Sequence, residues 1–132
     1  MIQASGIKKA YGQLQVLKGV DLSIGKGEFV SIVGKSGAGK STLLHILGTL
    51  DRPDSGELLI NDTAVEKMGT KKLAAFRNLN IGFVFQFHHL LPEFSALENV
   101  TLPQLANGAS DMAAKTRAMD LLDAVGVAQR AG

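Results

Sequence analysis

The chain has 132 residues, 45% of them hydrophobic, and a formal net charge of +2. That length and apolar content suit one compact domain, and so slight an excess of Lys and Arg excludes a surface built for nucleic acid. The absence of cysteine rules out disulfides and thiolate metal sites.

Residues 1–10 lack the apolar stretch and cleavage site of a secretory leader. No run approaches the ~18 apolar residues that a membrane-crossing helix needs. A soluble domain is therefore expected, with any membrane role supplied by a partner.

In chain order, residues 2–8, 16–24 and 28–33 read as strands. The second alternates Val20, Leu22 and Ile24 against Asp21 and Ser23, which predicts one wet face. Gly25-Lys26-Gly27 makes a tight turn, and Phe29-Val30-Ser31-Ile32-Val33 has the unbroken apolar character of a strand buried on both faces. A helix is expected from Gly39 to Gly48, with Leu43, Leu44, Ile46 and Leu47 facing inward and His45 packed or capped on it.

Residues 53–56 form a turn, residues 57–60 a short strand, and Asn61-Asp62 another turn. Thr70 caps a helix over residues 71–77, residues 81–85 make a second buried strand, and a loop-rich stretch runs to about Leu105. The last helix starts at Ser110 or Asp111 and stops at Gly126, with Met112, Met119, Leu122 and Val125 on its core face. This order gives an α/β fold with an antiparallel patch at the N-terminus.

Gly34-Lys35-Ser36-Gly37-Ala38-Gly39-Lys40-Ser41 satisfies the complete P-loop pattern, and Thr42 follows it. The glycines let the backbone turn without Cβ atoms in the way, so that successive N–H groups point into one concavity. The helix that follows adds the partial positive charge of its N-terminus. Lys40 is spaced to reach the β- and γ-phosphates of a nucleotide and the Ser41 hydroxyl to ligate Mg²⁺, while Thr42 supports the α-phosphate end. ATP and Mg²⁺ are the ligands expected here.

Two further residues bear on the class of P-loop protein. Tyr11, the only tyrosine, lies upstream beside Gly12, where its ring can stack on a base. Gln86 directly follows the strand expected over residues 81–85, at the carboxyl end where α/β sheets bind ligands. Together with Leu97-Glu98-Asn99-Val100, these features resemble the ABC ATPase family. Residues 86–100 and 47–56 are more specifically similar to the ATP-binding subunits of bacterial lipoprotein-releasing transporters and of the macrolide-exporter and cell-division group.

The resemblance implies a P-loop ATPase core preceded by an antiparallel β-subdomain. It implies that Tyr11 stacks on adenine with Val16 beneath it, that residues 34–42 hold the phosphates and Mg²⁺, and that Gln86 touches Mg²⁺ or the attacking water. The segment after Gln86, with Phe87, His88, His89, Glu93 and Phe94, becomes the surface that receives the transmembrane subunits. A second ATPase subunit completes a dimer on the cytoplasmic face of the inner membrane. His88 and His89 point oppositely on a strand and have no third ligand nearby, so no metal site is assigned to them.

The family also carries a Leu-Ser-Gly-Gly-Gln-type signature, an apolar strand ending in Asp-Glu, and a switch histidine, none of which occurs in these residues. Leu121-Leu122-Asp123 is followed by Ala124 where a catalytic Glu belongs, and it lies on a helical pattern. The expectation is an N-terminal part of the ATPase domain that binds nucleotide, does not hydrolyse it, and leaves its two buried strands unpaired and poorly supported. A small P-loop kinase or nucleotide switch is the alternative, but no guanine-reading Asn-Lys-x-Asp pattern occurs.

Overall fold

The computed structural model describes residues 1–87 and 89–132, so His88 of the expected docking segment lies outside the described residues. It comprises two compact units, residues 1–77 and residues 78–132.

The first unit is built on a four-stranded antiparallel sheet in the order β2-β1-β3-β4. Its strands are β1 (Ile2–Tyr11), β2 (Leu14–Ile24), β3 (Ser55–Ile60) and β4 (Thr63–Ala64). Helix α1 (Lys40–Leu47) lies between β2 and β3 in the chain, and α2 (Thr70–Asn80) follows a short 3₁₀ turn at Val65–Lys67. Val20, Leu22 and Ile24 are half-buried while Asp21 and Ser23 are exposed, as their alternation predicts.

Bulges set which residues reach the core. Ala4 and Ile7 are both buried although an odd step separates them, which a regular strand forbids. Between Ala4↔Leu22 and Ile7↔Val20, β1 gains one residue over β2. Gly6, at φ +60°, absorbs it, and its amide donates instead to Asp21 Oδ1 at 2.7 Å. A further slip between Lys9↔Leu17 and Ala10↔Gln15 makes Val16 the extra residue of β2. The core continues through Leu43, Ile46 and Leu47 of α1, Leu58 and Ile60 of β3, Val65, and Leu73 of α2.

Several expectations need correction. Phe29, Val30 and Val33 are exposed, and residues 28–33 join no ladder among the described residues. The same holds for residues 81–85, where Val84 and Phe85 are exposed. An apolar run becomes a buried strand only when neighbouring strands and covering side chains are present, and neither segment has them here. Leu44 faces outward because the buried face of α1 is carried by Leu43, Ile46 and Leu47, and His45 is exposed, not packed.

Thr49 is a strained position. It is β-branched yet sits at φ +60°, and its buried hydroxyl has no partner among the described residues. It borders a cavity of about 10 Å³ shared with Ile46, Leu58, Val65 and Leu73. Left-handed backbone at a β-branched residue costs on the order of 1–3 kcal/mol, and an unmet buried hydroxyl a similar amount. Losing two buried side-chain carbons and gaining glycine's chain entropy offset roughly 2 kcal/mol of that. Thr49→Gly is therefore expected to stabilise the protein by about 1 kcal/mol, visible as a melting point several degrees higher; an unchanged or lower melting point would refute the strain.

In the second unit, α3 (Ala96–Ala106) packs on α4 (Asp111–Ala124). α3 occupies part of the stretch expected to be loop. Ser95 and Glu98 form a capping box, with Ser95 N donating to Glu98 Oε2 at 2.8 Å and Glu98 N to Ser95 Oγ at 3.2 Å. The Ser95 amide, and its side chain after it, lower the Glu98 carboxyl from its ordinary value. Asn99 ties down the preceding loop, donating to the carbonyls of Leu91, Phe94 and Ser95 and accepting from Leu91 N.

The buried stripe of α4 is Ala114, Ala118 and Leu122. Met112, Met119 and Val125 are exposed, so the methionine stripe is not core. Alanines at i and i+4 let the two helices approach closely, and the longer side chains fall to the sides. Ser110 caps α4, and Gly126 at φ +74° follows its end as expected.

Candidate functional site

Residues 34–39 turn back on themselves instead of running extended into α1. Ala38 N donates to Lys35 O at 3.2 Å, closing the turn. Gly39 then adopts φ +90° and hands the chain to α1, which begins at Lys40. The first turn of α1 has no side-chain cap and no acidic residue. Its N-terminal amides are thus left to the concavity of the loop, where an anion would satisfy them.

Lys40 folds back across this turn. Its Nζ donates to Gly34 O and to Lys35 O, both at 2.9 Å. Two neutral carbonyls hold a full positive charge at the mouth of the loop. Gly34, Lys35, Ser36, Gly37, Ala38 and Ser41 are exposed around it, while Gly39 and Thr42 are half-buried. The Ser41 hydroxyl is exposed in the first helical turn, a neutral oxygen of the kind that Mg²⁺ can take as a ligand.

The β-sheet supports the loop from beneath. A Cβ on Gly39 would lie 2.9 Å from both Val16 Cγ1 and Leu17 Cδ2. The bulge at Val16 explains how two successive residues of β2 reach the same spot. Val16 is thus placed under the end of the phosphate loop.

Tyr11 closes β1, with 51% of its surface exposed. Its hydroxyl donates to Asp51 Oδ2 at 2.8 Å, and Lys9 Nζ lies 5.4 Å from the ring centroid. Lys9 Nζ also donates to Asp51 Oδ1 at 2.9 Å and to Arg52 O at 2.6 Å. The hydrogen bond to the Asp51 carboxylate raises the phenol above its usual pKa, burial adds to this, and the Thr42 hydroxyl opposes it. Burial pushes Asp51 up, but the bonds from Lys9, Tyr11 and the Arg52 amide outweigh it and leave the carboxyl below its ordinary value. Lys9 is raised, chiefly by its bond to Asp51.

Asp51 and Lys9 escaped the sequence reading. Lys9 is two residues before Tyr11 on β1, but Asp51 is 40 residues away, and only strand register and the turn after α1 bring it to them. Gln86 lies in the second unit, exposed in a bend. Phe87, His89, Glu93 and Phe94 are exposed as well. Within that unit Phe85 stacks on Phe83 with centroids 5.3 Å apart and meets the edge of His89 at 4.8 Å.

Comparison with known proteins matches residues 17–131 to the ABC transporter family. The lipoprotein-releasing system ATP-binding protein LolD of Bacteroides thetaiotaomicron is 60% identical over 131 residues, covering 99% of this chain and 60% of that protein. LolD of Geobacter metallireducens is 50% identical over 134 residues, covering 98% of this chain and 60% of its own length. The chain therefore spans about 60% of the length of these curated relatives.

Among solved structures, the ATP-binding cassette MJ0796, as a dimer in a post-hydrolysis state bound to ADP and Pi, superimposes with a TM-score of 0.84 at 40% identity. That match covers 93% of this chain and 56% of the cassette. A further dimeric structure of the same bacterial ABC transporter cassette gives a TM-score of 0.83 at 41% identity. A family match across most of the chain, a phosphate loop of the required form, and cassette neighbours at this identity agree: the chain belongs to the ABC transporter family, among its ATP-binding subunits.

Proposed function

We propose that this chain is the nucleotide-binding part of the ATPase subunit that powers lipoprotein release from the bacterial inner membrane. The observation that carries the reading is the Lys40 ammonium poised on two loop carbonyls at an uncapped helix start. A triphosphate arriving there replaces those carbonyls with charged oxygens, which bind an ammonium more strongly. Lys40 then spans the β- and γ-phosphates, the amides of residues 36–42 take the remaining oxygens, and Tyr11 stacks on adenine above Val16. Ser41 would contribute a ligand to Mg²⁺, which would offset the charge of the triphosphate when bound.

Residues 87–94 form the docking surface for the transmembrane subunits, and a second copy of the subunit pairs with this one at the cytoplasmic face. Transport of lipoproteins is inferred from the LolD relatives and their high identity. Hydrolysis requires a signature segment facing the γ-phosphate and a Glu to polarise water, and these 132 residues contain neither.

The chain is expected to bind Mg-ATP in a calorimetric titration while releasing phosphate at the buffer background. Failure to bind Mg-ATP would end the nucleotide reading. Sustained turnover, lost on Lys40→Ala, would end the claim that hydrolysis needs further residues.

A further inference from the structure

We infer that Asp51 is a positioning residue for nucleotide binding, clasping the Tyr11 hydroxyl so that the ring is held ready for the base before it arrives. The inference rests on the reading of Tyr11 as the base-stacking residue.

The geometry has three parts. Tyr11 stands at the end of a strand with half its surface in water, a place where an aromatic side chain ordinarily samples several rotamers. Its hydroxyl is nonetheless fixed to Asp51 Oδ2 at 2.8 Å. Asp51 itself is held on its other oxygen by Lys9 Nζ at 2.9 Å and the Arg52 amide at 2.7 Å. The Lys9 side chain is only 11% exposed and also faces Asp54 at 3.7 Å, so the clamp has a firm base.

Asp51 is also tied to the phosphate helix. The backbone amides of Leu50 and Asp51 both donate to His45 O, in the last turn of α1, at 2.8 and 3.2 Å. The ring and the phosphate loop are therefore referenced to one rigid element. Lys9 Nζ lies over the ring, 5.4 Å from its centroid, so a base would stack on the opposite face.

Immobilising a side chain on binding costs about 0.5–1.5 kcal/mol, so a ring ordered beforehand improves affinity roughly three- to ten-fold. Only ligands with a base gain from this, which gives a readout that general destabilisation does not move. Binding of Mg-ATP and of Mg-tripolyphosphate is measured calorimetrically for the unaltered chain and for Tyr11→Ala, Tyr11→Phe, Asp51→Ala and Asp51→Asn.

Tyr11→Phe and Asp51→Ala are each expected to weaken ATP about three- to ten-fold and leave tripolyphosphate unchanged. The two together should be no worse than either alone, because they remove the same bond. Asp51→Asn, which still accepts the phenol proton, should recover part of the loss. Tyr11→Phe keeps the ring and the fold, so it carries the test even where Asp51→Ala fails to fold.

If Tyr11→Ala weakens ATP but Tyr11→Phe does not, the clasp is wrong and base stacking stands. If Tyr11→Ala leaves ATP affinity unchanged, the stacking role itself is wrong and the clasp goes with it. Equal losses for ATP and tripolyphosphate in Asp51→Ala would make Asp51 a structural residue only and overturn the inference.

Discussion

Lys40→Ala should weaken Mg-ATP binding roughly 10- to 140-fold while leaving the thermal unfolding of the chain almost unchanged. In the free protein the Nζ donates to two loop carbonyls, Gly34 O and Lys35 O, in a half-buried setting open to water. Water replaces such bonds at little cost, so the stability loss is below about 1 kcal/mol. In the complex the same ammonium meets triphosphate oxygens, where a charge-assisted bond is worth about 1.5–3 kcal/mol. Each 1.4 kcal/mol is about a factor of ten in affinity, which sets the range. Lys40→Arg should not restore binding, because a planar guanidinium cannot occupy the place of a compact ammonium over so tight a turn. Titration with a fluorescent ATP analogue, alongside a thermal melt, separates the two effects. A loss of less than three-fold would place the triphosphate elsewhere.

The turn at residues 34–39 was legible in the sequence because its spacing encodes its own geometry. Glycines at 37 and 39, a lysine at 40 and a following helix need no distant partner to form the turn. The β-subdomain was legible for a similar reason, since the alternation of Val20, Leu22 and Ile24 reports a half-buried strand locally. What local pattern cannot report is whether an apolar segment finds neighbours. Phe29 to Val33 and Ile81 to Phe85 read as buried, yet among the described residues no strand pairs with either.

The helix α3 escaped for the opposite reason. Pro103 lies inside it and its apolar residues show no single stripe, although Ser95 and Glu98 announced its start with a capping box. The Tyr11–Asp51 bond escaped because it joins residues 40 apart through strand register and the turn after α1. Local chemistry is written in sequence; long-range juxtaposition depends on register, and register here turns on bulges placed at single residues.

That dependence makes Gly56→Ala the most damaging small substitution in the sheet. Gly56 has φ +106°, and a Cβ built on it lies 2.6 Å from Gly6 O and 2.7 Å from Gly6 C and Ser5 O. All three are backbone atoms of β1, so no rotamer change relieves the clash and the two strands must part. The contact sits at the register slip between Ser5↔Glu57 and Lys8↔Ser55, where the extra residue of β1 bulges toward β3.

Left-handed strain and overpacking each cost about 1–3 kcal/mol, so a loss of about 3 kcal/mol and a melting point lower by roughly 10 °C are expected. Beyond the slip, Asp54 N donates to Lys8 O at 2.9 Å and Ala10 N to Asp54 Oδ2 at 2.7 Å, bonds that carry β1 on to Lys9 and Tyr11. Opening β1 from β3 therefore loosens the ring as well, and ATP affinity should fall in the material that remains folded. Gly69→Ala is the matching control, since it has no left-handed φ and nothing within 4 Å of the added carbon. Circular dichroism melts of the two variants decide the matter: equal melting points would mean that β1 and β3 do not approach as closely as the bulge requires.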